Sequence, residues 1–506
     1  MYSPFNNFVF RTPALPVNAF FQEIEKLEKD NTYWQQFLQN SLLREAIFLA
    51  SPVLYDEIGK FLSGYLTKEK DVEKMKNAVL RYFSRMCSRC TPFGLFAGFS
   101  LGRFDDEMNK NPSLLHSFTP SHITLPPLSS YRRYTRLDMH YLCALAQDIG
   151  KNEAIQRSVK FYPNSSLYVL GDQLRYVEYY YKKSKRIHQI SSVDYSEYLE
   201  KIIAFAQQGA TFNELATSIV SMLSEENISL AEAESFIKEL IDNQILVSEL
   251  EPEITGKDFL VQLLRVLNET FPSIPSEAKN LEPLSAFLKK MDEQELGKSI
   301  NIYKEAEEVV KTTGTAYEKN YLFQVDMFKP VANATLNNKI ADEVWEAMGL
   351  MNQISFVPKE TTLKKFADSF YERYEEREMP LLQVLDVESG IGYPANKGDI
   401  SPLIENYMLP NNENSQNNIV FNRVQSVLHK KLLENYKTGS HFVEFTEKDF
   451  EFLKPNWENL PQTLSCMCEI FHAPSFTPSL LHSIYLCSLC RWLKRCQHVG
   501  QVLPCR

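Results

Sequence analysis

Apolar positions in the first hundred residues recur every three or four places, a spacing that predicts helices with one buried face. "AFFQEIEKLEKDNTYWQQFLQNSLLREAIFLAS" and "DVEKMKNAVLRYFSRMCSR" both carry the pattern. The second run puts Arg81, Arg85 and Arg89 on one face, because residues four apart are helix neighbours. Thr91-Pro92 then ends the helix, since a residue before proline avoids the helical region. From Asn164 the texture changes. "SSLYVLG", "QLRYVEYYYKK" and "KRIHQISSVDYS" are β-rich runs separated by turn residues. Three helical runs follow, "EYLEKIIAFAQQ", "TFNELATSIVSML" and "SLAEAESFIKELIDNQIL", the last opened by Ser229 and Glu232 at capping-box spacing.

Three strands followed by three helices predict a compact winged-helix-like module over 165–256. It divides the chain into 1–164, 165–256, 257–473 and a tail, 474–506. The fold class expected is α+β, several subdomains with this module embedded. Asp138 in "TRLDMHY" and Asp326 in "FQVDMF" sit in strand-like apolar contexts. "MPLLQVLDVESGIGYPANKG" reads as a strand running into a glycine-rich loop, which would put Asp386 and Glu388 on one face.

Composition narrows the function classes. The chain has 506 residues, ordinary globular proportions of hydrophobic (44%) and charged (23%) residues, and a formal net charge of −10. Such a chain is not a general nucleic-acid coat, so a polyanion would need a local basic patch. Only 17 glycines are present, and no phosphate-binding glycine loop or Ser-His-Asp elbow stands out. No secretory signal or membrane-spanning run is visible, so the expected compartment is the cytoplasm, with a peripheral place at the inner membrane face left open.

The arginine trio is either a solvated helix face or an anion site, because guanidinium forks grip phosphate and carboxylate. Arg132, Arg133 and Arg136 add cations in "YRRYTRLDMH", as do Lys182, Lys183, Lys185 and Arg186 further on. Asp138 and Asp326 are either paired structurally or take part in proton transfer. Asp386 and Glu388 have no supporting His or carboxylate pattern for a metal or glycosidase site. Cys487, Cys490, Cys496 and His498 resemble a zinc set, but their spacing does not match common fingers. No metal is therefore expected.

"SRCTPFGLFAG" resembles the signature of class I lanthipeptide dehydratases. "FVFRTPALP", "RLDMHYL", "LFQVDMF", "PLLQVLDVESGIGYP" and "LPQTLSCMCEIF" match the family in order, over about residues 1–473. The resemblance implies an N-terminal domain that transfers glutamate from glutamyl-tRNA to Ser and Thr hydroxyls of a precursor peptide, before a separate domain eliminates it. It assigns the catalytic roles to Arg11, Arg85, Arg89, Thr91, Asp138 and Asp326. Arg81, Arg132 and Arg133 become candidates for tRNA contact. The implied partners are glutamyl-tRNA as co-substrate, with no bound cofactor, the leader and core of the peptide, and an elimination domain and lanthionine cyclase as separate chains. The leader would add as a strand beside Ile187, Gln189, Ser191 and Val193 and against Phe236 and Leu240.

Two departures from the family pattern shape the expectation. No elimination domain is present in the 506 residues, and a Gly-Gly-x-Ser-x-x-Asn-x-x-Gly-Arg-Phe segment expected after "LPQTLSCMCEIF" is missing. One choice of codons for Trp492 to Cys505, read one base later, encodes Gly-Ser-Ser-Ala-Ala-Asn-Met-Leu-Gly-Arg-Phe. A frame shift between about Cys468 and Arg491 would also explain a tail rich in cysteine and free of acids. The expectation is thus a truncated glutamylating domain; the alternatives are a catalytically inactive peptide-binding protein and a zinc-bound interaction protein.

Overall fold

The computed structural model describes residues 2–470, except 106–122, 183–184, 223–227, 254, 274, 276–277, 299, 356–360, 394–421, 440–442, 455–456 and 458–459. The fold is α+β. Its strands are β1 (Asn7–Pro13), β2 (Gly94–Asp105), β3 (Arg132–Leu137), β4 (Lys160–Pro163), β5 (Tyr168–Leu170), β6 (Gln173–Lys182), β7 (Lys185–Asp194), β8 (Ala210–Thr211), β9 (Leu246–Ser248), β10 (Phe323–Phe328) and β11 (Thr335–Asn337). They form three sheets. A mixed sheet runs β1-β2-β10-β3, with β11 also on β2; a small sheet runs β8-β4-β9; a meander runs β5-β6-β7.

The helical reading of the first hundred residues matches Val17–Lys29, Tyr33–Phe37, Ser41–Ala50, Pro52–Leu62 and Glu69–Ser88. In the last of these, Met75, Val79, Phe83, Met86 and Cys87 form the buried stripe. Glu69 and Asp71 in its first turn and Arg85 in its last complement the helix dipole. Arg89 is not on the helix: it is the C-cap, in extended conformation, so the trio shares a neighbourhood but not a regular face. β1 and β2 were not anticipated. Their segments are short or glycine-bearing, and they become strands by pairing with each other, antiparallel from Asn7↔Arg103 to Pro13↔Ala97.

The predicted strand–helix order of 165–256 is present: β5, β6 and β7, then Glu197–Phe205, Phe212–Met222 and Leu230–Asp242. Ser229 and Glu232 close a reciprocal capping box at the last helix. These elements have no core of their own. Leu174, Tyr176, Leu199, Ile219 and Ile237 share one apolar cluster with Leu142, Leu260 and Leu284. A second cluster holds the N-terminal helices together with Leu95, Phe96, Val325 and Met327. The strand predicted around Asp386 is instead a short helix, Leu381–Leu385, that Asp386 caps at its C-terminus.

Candidate active site on the open face of the mixed sheet

Residues directly opposite in paired strands share a face of the sheet. The register therefore builds a row across four strands: Arg11 faces Phe99, Phe99 faces Phe328, and Phe328 faces Arg132. The next row holds Asp326, opposite Tyr134 on one side and Gly94 on the other. Val325 and Met327 point the opposite way, into the N-terminal core. The face itself is open: Arg11 is exposed, as are Val9, Leu101 and Tyr134.

The Thr-Pro-Phe-Gly turn stands at the edge of this face. Gly94, at φ +51, takes a left-handed conformation that side chains disfavour, and it starts β2 beside Asp326. The Arg85 guanidinium stacks on the Phe93 ring, 4.5 Å from its centroid. Arg89 and Thr91 are exposed on the turn. The amide of Leu15 donates to the carbonyl of Met86, and that of Ala14 to Phe96, so the chain leaving the Arg11 strand is tied to the helix end that carries Arg85.

Asp326 accepts from an Arg136 Nη at 2.5 Å, with 32% of the arginine and 41% of the aspartate side chain exposed. Arg136 also lies over the Tyr134 ring, 5.2 Å from its centroid. The Nε atoms of Arg85 and Arg136 are buried and have no hydrogen-bond partner among the described residues. Both Nε atoms are closed off from solvent, so what these guanidiniums offer the face is their outer Nη groups. Burial, with the nearby charges of Asp258 and Asp292, pushes the Tyr134 hydroxyl above its ordinary range, so it stays a neutral donor.

The family model for the N terminus of lantibiotic dehydratases matches residues 39–476. The chain belongs to the lantibiotic dehydratase family. It is similar to the epidermin biosynthesis protein EpiB of Staphylococcus epidermidis, 26% identical over 463 residues, which are 90% of this chain and 42% of that protein. It is also similar to the subtilin biosynthesis protein SpaB of Bacillus subtilis, 25% identical over 78% of this chain and 36% of that one. The chain thus spans less than half the length of these relatives. Its fold matches the crystal structure of the tRNA dependent lantibiotic dehydratase MibB from Microbispora sp. 107891, with a TM-score of 0.66, 20% identity, 90% of this chain and 40% of that chain covered.

Within this lantibiotic dehydratase domain the nine catalytic and tRNA candidates separate. Arg11, Arg85, Arg89, Thr91, Asp326 and Arg132 lie on the open face or the turn at its edge. Arg81 is exposed further back along the Glu69–Ser88 helix, on a helix surface that also carries Lys70, Glu73 and Lys74. Asp138 follows β3 rather than lying inside a strand. Its carboxylate caps the helix Met139–Gly150 by accepting from the His140 amide. At about 3.4 Å per residue, it stands about 14 Å along the chain from Tyr134, the neighbour of Asp326.

Arg133 is a correction. Both its side chain and that of Glu45 are fully buried and paired with each other. The Arg133 guanidinium also donates to the carbonyls of Met291, Gln294 and Glu295. It joins β3 to the helices Ser41–Ala50 and Leu281–Glu293 and has no surface to offer tRNA. Strict alternation in "RRYTRL" held the signal: Arg133 shares its side of β3 with buried Thr135 and Leu137, while Arg132, Tyr134 and Arg136 face out. Tyr134 is the face residue that the sequence reading missed; Arg136 stands there among the nearby cations, with no specific role.

The peptide-binding candidates also divide. β7 pairs with β6 and has no second strand partner among the described residues. Its Ile187, Gln189, Ser191 and Val193 lie opposite Tyr180, Glu178, Tyr176 and Leu174. Gln189 and Ser191 both donate to the Glu178 carboxylate. Leu240 is a correction: it is buried in the shared core, with Phe236 packed half-buried against it. The supposed Asp386 site is saturated as well. Burial opposes the charged form, yet hydrogen bonds from the Tyr168 hydroxyl, the amides of Ser389 and Glu388 and the Arg175 guanidinium outweigh it and hold the carboxyl well below the usual range. Arg175 reaches Glu388 too, at 2.8 Å. This knot fastens the 386–389 turn to the meander. The zinc candidates and the rest of the tail beyond 470 lie outside the described residues.

Proposed function

We propose that the open face of the mixed sheet transfers a glutamyl group from glutamyl-tRNA to Ser and Thr hydroxyls of a ribosomally made precursor peptide, the first half of lanthipeptide dehydration. The observation that carries this reading is the strand register, which gathers Arg11, Arg132, Asp326 and Arg136 on one exposed face beside the Arg85–Thr91 turn. Membership of the lantibiotic dehydratase family supports it.

In this reading the peptide hydroxyl oxygen forms an ester with the glutamyl carbonyl carbon. The ester to the tRNA ribose breaks, and the hydroxyl proton ends on the departing ribose oxygen. Negative charge grows on the carbonyl oxygen, where unspent guanidinium donors are most effective. Asp326 is half-exposed and beside those donors, which suits it to guide the proton. Arg89 and exposed Arg132 suit the phosphates at the acceptor end, since arginine binds phosphate through paired N–H groups. The free edge of β7, within a winged-helix-like recognition module, suits a leader peptide that adds as a strand. Elimination belongs to another domain or chain, as does ring closure by a cyclase.

Incubation with glutamyl-tRNA and the precursor peptide encoded beside the gene tests the reading. The expected product is peptide carrying added glutamyl esters by mass spectrometry. A folded chain that binds the leader and leaves the peptide unmodified would overturn transfer and leave a peptide-binding protein.

A further inference from the structure

Lys329 follows directly after β10, the strand that carries Asp326. Its amide donates to the Phe99 carbonyl, and its carbonyl accepts from the Ser100 hydroxyl, so its backbone is fastened to β2. The side chain is fully buried and crosses beneath β2 to reach β1. There its ammonium donates to the Thr12 hydroxyl at 2.8 Å, to the Thr12 carbonyl at 3.2 Å and to the Pro13 carbonyl. Three donors meet three acceptors. The Tyr131 ring covers the ammonium, 4.7 Å from the centroid. No carboxylate pairs with it among the described residues.

A buried ammonium without a counter-ion is costly unless every N–H is satisfied. Burial pushes this lysine down to about 8, so the three acceptors are what hold the proton in place near neutral pH. A leucine or methionine would fill the same space at no such cost, which makes the choice of lysine informative. The route is also prepared. Gly98 is the β2 residue between Thr12 and Met327, and a Cβ there would stand 2.7 Å from the Met327 carbonyl oxygen.

We propose that Lys329 is a positioning residue, a clamp that fixes the end of the Arg11 strand to the end of the Asp326 strand across the intervening β2. Thr12, which it grips, is the neighbour of Arg11 and points to the opposite side of the strand. β1 is the outer strand of the mixed sheet along the β1-β2-β10-β3 path. The β1–β2 ladder and the Ala14–Phe96 and Leu15–Met86 bonds hold its end through backbone alone, and the clamp adds a side-chain restraint from the Asp326 strand where Arg11 must stay in register. The functional part of this inference rests on reading the sheet face as the transfer site.

The test uses the full chain with Lys329→Met, Thr12→Val and the double substitution. Amide hydrogen exchange of the 7–13 segment should quicken about tenfold or more in Lys329→Met and less in Thr12→Val. Exchange in the Glu69–Ser88 helix should be unchanged. The double substitution should add little to Lys329→Met, because both changes break one contact. In the transfer assay, kcat should fall at least tenfold while the KM for peptide stays constant. Unchanged exchange in the 7–13 segment would overturn the clamp, and so would faster exchange with full kcat. If Lys329→Met does not fold, Thr12→Val decides alone, because it keeps the lysine. If the parent chain transfers no glutamate, the proposed function is what fails, and the exchange data still decide the clamp.

Discussion

The open face of the mixed sheet and the β5-β6-β7 meander use the same kinds of side chain to opposite ends. On the mixed sheet, Arg85 and Arg136 each retain a buried Nε without a partner among the described residues, and Arg11, Arg89 and Arg132 are exposed. On the meander, Arg175 spends its donors on Asp386 and Glu388, and Tyr168 spends its hydroxyl on Asp386. The meander's Arg186 keeps a buried Nε of the same kind, but its guanidinium stacks on Tyr179 and pairs with Glu251. What the meander leaves at its surface is backbone, along the outer edge of β7. Arginine by itself therefore does not mark an anion site, nor does an Nε unpartnered among the described residues, which Arg44 and Arg186 also have; what distinguishes Arg11, Arg89 and Arg132 is exposure around one open face. Each region offers only what its own folding has not consumed, charge in one case and strand-pairing groups in the other.

The sharpest way to break the comparison is to exchange the fates of two adjacent arginines. Arg133→Ala leaves Glu45 buried and unpaired and should destabilise the fold by about 3–5 kcal/mol in urea denaturation. Arg132→Ala, on the open side, should change stability by less than about 0.5 kcal/mol, within the usual range of surface substitutions. It should instead weaken tRNA binding in a salt-dependent manner.

Arg89→Ala and Arg85→Ala should each lower glutamyl transfer about 10²- to 10³-fold, the scale of losing one donor to a developing oxyanion. Circular dichroism and thermal melting should show an intact fold for Arg89→Ala, because that side chain is exposed. Arg89→Lys should rescue little, since an ammonium lacks the planar fork. Transfer at the parental rate by Arg89→Ala would remove the turn from the site.

Asp386→Asn probes the saturated side. Losing charged hydrogen bonds from Arg175 and Tyr168 should cost about 1.5–3 kcal/mol. The carboxyl is held below its unfolded-state value, so its contribution is complete above the ordinary carboxylate range and is lost as pH falls through the folded-state value. The stability gap between parent and variant should be flat from neutral pH down to about 5 and shrink below about 4. A gap that grew in acid would contradict this assignment.

The smallest expected effect is at the strand edge. Ile190→Pro removes an outward-facing amide from β7, since Ile190 lies opposite Val177, whose own amide goes to Ser166 rather than to β7, and should weaken binding of the cognate leader about tenfold, about 1.4 kcal/mol. Fluorescence titration with a labelled leader measures it, and the variant should keep the melting temperature of the parent within a few degrees. Undiminished binding would move the leader away from β7.

How far the sequence reached depends on the range of the forces involved. Helices of the first hundred residues, the Ser229–Glu232 cap and the strand–helix order of 165–256 were legible because spacing, capping and turn chemistry act over a few residues. The ordered motifs also placed the chain in its family, and alternation in "RRYTRL" already contained the separation of Arg133 from Arg132 and Arg136. Three things were decided only in the folded molecule. β1 and β2 become strands by pairing across some ninety residues, at a loop-closure cost that no local pattern reveals. Asp386, read as one of two acids on a strand, is consumed by Tyr168 and Arg175, more than two hundred residues away. Lys329 carries no signal at all in "MFKP"; its meaning comes from Thr12 and Pro13, which the sheet brings beneath β2 to meet it. Local chemistry decides which elements form, whereas long-range pairing decides which charges are spent in holding them together and which remain to act.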